Sequence, residues 1–265
     1  MKLRNISVEY IEAIKPELCK KIISLGLSEM DIAKSNNISL NAETNVGVET
    51  HIRNSEVIGL NDKRLYDLFF KMMKDANISA GWNWDIDSAE NMQFTVYKGS
   101  KENSGFYGWH IDGSSDLFSS YKPAIKISDD PLRFKLPKKN KENVITLDDK
   151  GQPEADMSSE DLPLVNNGLS LDPKFSENES MWGKVRKISM TLNLSDPNTY
   201  EGGDFKLHLG SDKNDIEKLD FKIYKNIRPQ GSAIFFPGFT NHCVTPVTSG
   251  TRYSLVIWFL GSPWK

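Results

Sequence analysis

The sequence predicts a mainly β fold, a sandwich or barrel supported by helices near the amino terminus, on three observations. From Asn91 onward the chain breaks into short, turn-bounded runs rich in β-branched and aromatic residues. Before that point two segments carry apolar residues at helical rather than alternating spacing. Two distant motifs, His110-Ile-Asp112 and His242 with Arg252 ten positions on, carry complementary chemistry that one folded unit would bring together. All-β domains commonly reach ~200–250 residues, so residues 1–265 are expected to form a single domain.

Pro16 to Leu25 reads as a helix with proline in its first turn and Leu18, Ile22 and Leu25 on one side, stopping at Gly26. A second helix is expected from a cap at Asn61 or Asp62 to the region of Ala76, with Leu65, Leu68, Phe69, Met72 and Met73 as its apolar stripe. Residues 1–80 thus form a helical support that packs against the outside of a sheet. Strands are expected at Met92–Tyr97, Tyr107–Asp112, Ile188–Leu194, Phe205–Leu209, Ser232–Phe236, His242–Pro246 and Arg252–Leu260, with Gly202-Gly203 and Pro237-Gly238 as turns. Residues 113–181 depart from this texture. Residues 122–141 hold seven Lys or Arg against two Asp, and 142–180 hold ten acids against two bases, a block pattern that disfavours a buried core. An insertion of this length leaving the chain beside Asp112 is either a lid over the site or a solvated excursion.

Composition narrows the function. Hydrophobic residues make up 38% and aromatics 10% of the 265 positions, enough for a core. A net charge of −3 and a pI near 5.9 give no reason to expect a nucleic-acid partner. The first ten residues lack a signal-peptide apolar region, and no apolar run approaches the ~18 residues of a membrane span, so a soluble cytoplasmic protein is expected. Cys19 and Cys243 lie far apart without a CxxC spacing, which suggests neither a disulfide framework nor a zinc site.

In a strand, residues i and i+2 share a face, so His110 and Asp112 can grip one ion while Ile111 turns away, and His242 completes a set of two imidazoles and one carboxylate. That set leaves positions open on Fe(II) for a chelating co-substrate and O2. In Thr251–Phe259, Arg252, Ser254, Val256 and Trp258 share one face. The Arg252 guanidinium can hold a carboxylate in a bidentate grip, with Ser254 as a second donor. Each residue also has a plain reading: Asp112 as a turn cap before Gly113, the histidines as core or surface residues, Arg252 as half of a surface ion pair. Tyr107 and Trp109 alternate away from His110, which makes packing their default role, and His51 and His208 have no partner at metal spacing.

Together with Gln93-Phe-Thr-Val-Tyr97, Tyr107-Gly-Trp-His-Ile-Asp112, Lys187-Ile-Ser-Met-Thr-Leu-Asn-Leu194, Glu201-Gly-Gly-Asp-Phe205 and His242-Cys-Val-Thr-Pro-Val247, these motifs resemble the Fe(II)/2-oxoglutarate-dependent dioxygenases, and within them the prolyl 4-hydroxylase-like group. The resemblance covers residues 80–112 and 182–262. It implies a double-stranded β-helix, a jelly-roll variant, over 81–265. It also implies Fe(II) held by His110, Asp112 and His242, with 2-oxoglutarate as co-substrate, O2, and an extension to ascorbate. Arg252 stands where many relatives use Lys. Tyr97 corresponds to a tyrosine that reaches the same distal carboxylate, with simple packing as its alternative, and Trp258 corresponds to an aromatic lining the substrate cleft. The implied reaction is hydroxylation of a peptidyl residue, prolyl 4-hydroxylation foremost, with release of succinate and CO2. A free amino acid or small metabolite as substrate and a non-catalytic jelly-roll binding module stay open as alternatives.

Overall fold

The computed structural model describes residues 5–40, 53–100, 102–113, 125–126, 184–208, 221–262 and 264. The elements run β1 (Val8–Tyr10), α1 (Pro16–Ser35), β2 (Arg53–Asn54), β3 (Glu56–Leu60), α2 (Lys63–Ser79), β4 (Ser88–Ala89), β5 (Met92–Lys98), β6 (Phe106–His110), β7 (Ile125–Lys126), β8 (Val185–Asn193), β9 (Tyr200–Gly202), β10 (Phe205–His208), β11 (Phe221–Ile223), β12 (Ala233–Pro237), β13 (His242–Val244) and β14 (Val247–Gly261). The expected 113–181 lid lies outside the described residues, apart from Gly113 and β7, and so does His51.

The first helix corrects the sequence reading. Rather than stopping at Gly26, α1 continues through it to Ser35. Gly26 faces Phe94 of β5, and a Cβ at this position would lie 2.4 Å from the ring. The glycine is there for closeness, since only a residue without a side chain lets helix and sheet approach so far. The second helix follows expectation at its start: the Asp62 carboxylate caps α2 by accepting the backbone N–H groups of Arg64 and Leu65. Its stripe of Leu65, Leu68, Phe69, Met72 and Met73 is buried.

Among the described residues the strands form two antiparallel sheets. The larger runs β1-β12-β8-β14-β4-β7, with β5 on another stretch of β14, β3 on β5, and β9 on the start of β14. The smaller runs β11-β10-β13-β6-β2. Alternation along the central strands separates two environments. Ile188, Met190 and Leu192 of β8 and Leu255, Ile257 and Phe259 of β14 join the helices in one core, where Phe70 of α2 meets Phe259 edge-on at 5.1 Å. The opposite faces of the same strands point between the sheets. There Ser189, Thr191 and Asn193 lie across from Trp258, Val256 and Ser254, and Thr95 and Tyr97 lie across from Ser254 and Arg252. A second core of Tyr97, Phe205, Leu207, Phe236 and Val244 joins the two sheets. This is a jelly-roll core with helices on the outside of its larger sheet, the architecture expected from the sequence.

Two irregularities break the alternation. Against β13, His242 pairs with His110 while Val244 pairs with Tyr107, so β6 carries an extra residue. Against β14, Phe259 pairs with Ile188 while Leu260 pairs with Arg186, so β8 carries an extra residue at Lys187. Bulges of this kind re-aim the side chains beside them.

Replacing Gly26 with alanine sets two effects against each other. Helix propensity improves by ~1 kcal/mol, whereas forcing a methyl into the Phe94 ring costs about 1–3 kcal/mol. The expected net result is destabilisation, seen as a melting temperature lowered by a few degrees in thermal unfolding.

Candidate metal and carboxylate site

His110 ends β6 and His242 begins β13, and the two are directly opposed in the small sheet. Their ring centroids lie 4.1 Å apart. Asp112 follows β6 on a turn pinned to the β12–β13 connection, where the Gly238 carbonyl accepts the N–H groups of both Asp112 (2.9 Å) and Gly113 (3.0 Å). The Asp112 carboxylate lies between the imidazoles, Oδ1 3.6 Å from His110 Nε2 and Oδ2 3.4 Å from His242 Nε2. One donor atom from each residue falls within 4.8 Å of the others, and this is the group of metal-ligand type among the described residues.

The protonation of the three groups follows from their partners. His110 Nδ1 lies 2.8 Å from the Gly108 carbonyl and His242 Nδ1 lies 2.9 Å from the Thr240 carbonyl. A carbonyl only accepts, so each Nδ1 carries a proton, and Nε2 is the atom that each ring turns toward Asp112. Burial pulls the His242 imidazole down to about 4, against the opposing pull of Asp112, so the ring is neutral at neutral pH. Burial by itself would raise the Asp112 carboxyl; positive charge on the His242 and His110 rings, which they carry only when protonated, and on the Arg186 guanidinium outweighs it and holds the group well below the usual carboxylate range. Oδ2 is buried and has no hydrogen-bond partner. Two imidazoles with Nε2 turned inward and a carboxylate with a bare oxygen fit a divalent cation, and oriented Nδ1–H groups are a regular accompaniment of metal-binding histidines.

Arg252 lies on the inner face of β14, 3% exposed, directly across from Tyr97 of β5. Its guanidinium carbon is 5.6 Å from the Tyr97 ring centre, and Nη1 is buried without a hydrogen-bond partner. A buried guanidinium nitrogen left unpaired is costly, and a carboxylate is its natural complement. Ser254 shares this face and is buried. Phe236, Ser189 and Trp258 form one row across β12, β8 and β14, and Phe236 meets His242 edge-on at 4.7 Å. Trp258 therefore sits in the row that ends against a triad histidine, and its indole N–H is buried and unpartnered.

Two sequence readings are corrected here. Tyr107 does not alternate away from His110, because the β6 bulge turns its ring onto the imidazole with centroids 3.5 Å apart. Trp109 is not core but 38% exposed. Cys243 is buried as a packing residue, its thiol pushed up to about 11 by burial, while His208 is half-buried on β10 outside the ligand group.

Arg186 and Glu90 were missed in the sequence. Arg186 Nε and Nη2 bind the two Glu90 carboxylate oxygens at 2.5 Å each, its Nη1 donates to the Asp112 carbonyl at 2.9 Å, and its guanidinium lies 3.9 Å above the Trp258 ring. The pair is 96 residues apart, so no local spacing announces it. The one signal is a pair of charged residues, Arg186 and Lys187, at the head of a strand that carries no other charge.

Residues 171–260 match the sequence profile of the 2OG-Fe(II) oxygenase superfamily, a stretch that holds His242 and Arg252 but not His110 or Asp112. A PKHD-type hydroxylase of Synechococcus sp. (strain CC9605) is 37% identical over 91 residues, which is 34% of this chain and 35% of that protein. The PKHD-type hydroxylase YbiX of Escherichia coli O157:H7 is 38% identical over 71 residues, 27% of each chain. The chain therefore matches about a third or less of the length of these relatives. In three dimensions it resembles the viral collagen prolyl hydroxylase from Paramecium bursaria Chlorella virus-1, solved as its 2OG complex, with a TM-score of 0.51 at 14% identity over 97% of both chains. That likeness is one of fold. The stretch from residue 171 to 260 is thus similar to the 2OG-Fe(II) oxygenases, and the fold is like that of a viral prolyl hydroxylase.

Proposed function

We propose that the chain is an Fe(II)- and 2-oxoglutarate-dependent hydroxylase of a peptidyl residue, with proline as that residue and C4 as the position. The observation that carries the oxygenase reading is the convergence of two Nδ1-protonated imidazoles and a bare carboxylate oxygen, in the same interior as a buried guanidinium with an unpaired nitrogen. Hydroxylation is supported by the names of the relatives, and peptidyl proline by the fold shared with a collagen prolyl hydroxylase.

In this reading His110, Asp112 and His242 hold Fe(II), and Arg252 binds the distal carboxylate of 2-oxoglutarate. When bound, the metal with 2-oxoglutarate and O2 supplies an oxidation that no side chain can perform, inserting one oxygen into the substrate C–H bond and releasing succinate and CO2. The chain's share is placement and exclusion of water. The opposed strands β6 and β13 set the imidazoles, and the Gly238 carbonyl sets the turn that carries Asp112. Tyr97 walls the Arg252 guanidinium from one side, and Ser254 offers a hydroxyl on the same face. Phe205 and Phe236 close the space behind His242. Trp258, in the row that reaches His242, is assigned to the substrate side. Among the described residues no helix is long and apolar enough to cross a membrane.

Replacing Asp112 with alanine is expected to abolish release of succinate from 2-oxoglutarate. Asp112→Glu is expected to lose most turnover because the added methylene displaces the carboxylate. Succinate production by the purified variants is the measurement, and a fully active Asp112→Ala protein would remove this residue from the site. Arg252→Ala is expected to spare metal binding and raise the 2-oxoglutarate requirement about 30-fold or more, because losing one partner of a buried charge pair costs roughly 2–5 kcal/mol. Arg252→Lys should be affected less, since charge is retained without the fork. Calorimetric titration with 2-oxoglutarate separates these outcomes, and hydroxylation assays on proline-containing peptides against free amino acids identify the substrate class.

A further inference from the structure

We propose that the buried Arg186–Glu90 pair is a positioning device for the metal-binding carboxylate, holding the turn of Asp112 through its backbone carbonyl. The inference rests on the assignment of His110, Asp112 and His242 as metal ligands.

Asp112 sits beyond the last ladder position of β6, where strand pairing no longer fixes it. Its turn is held from two directions. The Gly238 carbonyl takes the N–H groups of Asp112 and Gly113 on one side, and Arg186 Nη1 donates to the Asp112 carbonyl on the other. The clamp is fitted closely: a Cβ at Gly113 would lie 2.9 Å from Arg186 Cβ, and one at Gly238 would lie 3.0 Å from the Arg186 carbonyl oxygen. Arg186 cannot swing, because both oxygens of Glu90 engage its other two nitrogens and Trp258 lies beneath its plane. Glu90 is anchored in turn. Its N–H donates to the Trp258 carbonyl, and its own carbonyl accepts the Tyr66 hydroxyl of α2 at 3.0 Å.

A staple between β8 and the β4–β5 connection would need only the contact with Glu90. The third bond, to the backbone of a residue whose side chain faces two imidazoles, is what assigns the pair a role at the metal. Partners that orient metal ligands typically change metal affinity by about 10–100-fold when removed.

Co(II), whose visible absorption reports its coordination, serves as the probe in titrations of the metal-free full-length protein. Arg186→Met alone leaves Glu90 charged and unpaired and is expected to fold poorly. The decisive protein is therefore the Glu90→Leu/Arg186→Met double variant, which removes both charges and keeps an apolar filling. It is expected to keep a native circular-dichroism spectrum and melting temperature while binding Co(II) about 10–100-fold more weakly with an altered absorption band. Arg186→Lys provides a second variant, since an ammonium retains charge opposite Glu90 but lacks the fork that reaches Glu90 and the Asp112 carbonyl together. It is expected to fold and to bind Co(II) more weakly than the wild type. Wild-type affinity and an unchanged band in either folded variant would overturn the proposal and leave the pair a staple. If the wild-type chain itself shows no Co(II) binding that His110→Ala removes, the ligand assignment falls and this inference falls with it.

Discussion

Asp112 carries a negative charge into a place that water scarcely reaches, and much of the surrounding structure compensates for it. An isolated carboxylate in a protein interior would take up a proton rather than remain charged. Here the imidazoles of His110 and His242 face it, and the guanidinium of Arg186 stands behind its carbonyl. Arg186 would itself be an unsupported buried charge without Glu90. One anion thus calls for a cation, which calls for a second anion. The chain of charges crosses the inner layer of the molecule from the β6 turn to the β4–β5 connection.

The chain does not end there. The backbone of Glu90 is tied to β14 through Trp258 and to α2 through Tyr66, so a helix whose apolar stripe looks like mere support shares an element with the site. The two cores of the fold have separate tasks. The outer one, where Gly26 admits Phe94 and Phe70 meets Phe259, is apolar and closely packed. The inner one mixes aromatic rings with Ser189, Thr191, Ser254 and Arg252, all removed from solvent. Of these, Ser189 and Arg252 each leave a buried polar atom without a partner, which is expensive unless something polar is bound beside it.

Periodicity made most of this arrangement readable. The helical stripe of α2, its Asp62 cap, and the alternation that put Arg252, Ser254 and Trp258 on one face all follow from local rules. His110 and Asp112 do come together, but β6 ends at His110 and Asp112 is placed by a turn held at Gly238, not by the strand alternation that the sequence suggested. The failures have two physical origins. Glycine ends helices more often than it lets them approach a sheet, so Gly26 reads as a stop, and nothing near it in sequence names Phe94 as its neighbour. Tyr107 and Arg186 lie beside bulges. One extra residue in β6 and one in β8 reverse the side to which they point, and an alternation count from Ile188 would have sent Arg186 toward the helices. Bulges are settled by pairing across strands, so a single strand's pattern does not contain them. The short strands β2, β4 and β9 were unreadable for a related reason: two or three residues carry no period.

The anchors of the two histidines have a consequence of their own. Each Nδ1 is bonded to the main-chain carbonyl two residues earlier in its own segment, at Gly108 and at Thr240, and not to a side chain. A carboxylate in that role could be lost by one base change, and with it the choice of tautomer. A carbonyl is supplied by every amino acid. The acid–base identity of this pair is therefore written in the path of the backbone, and side-chain drift at positions 108 and 240 leaves it intact as long as that path is kept.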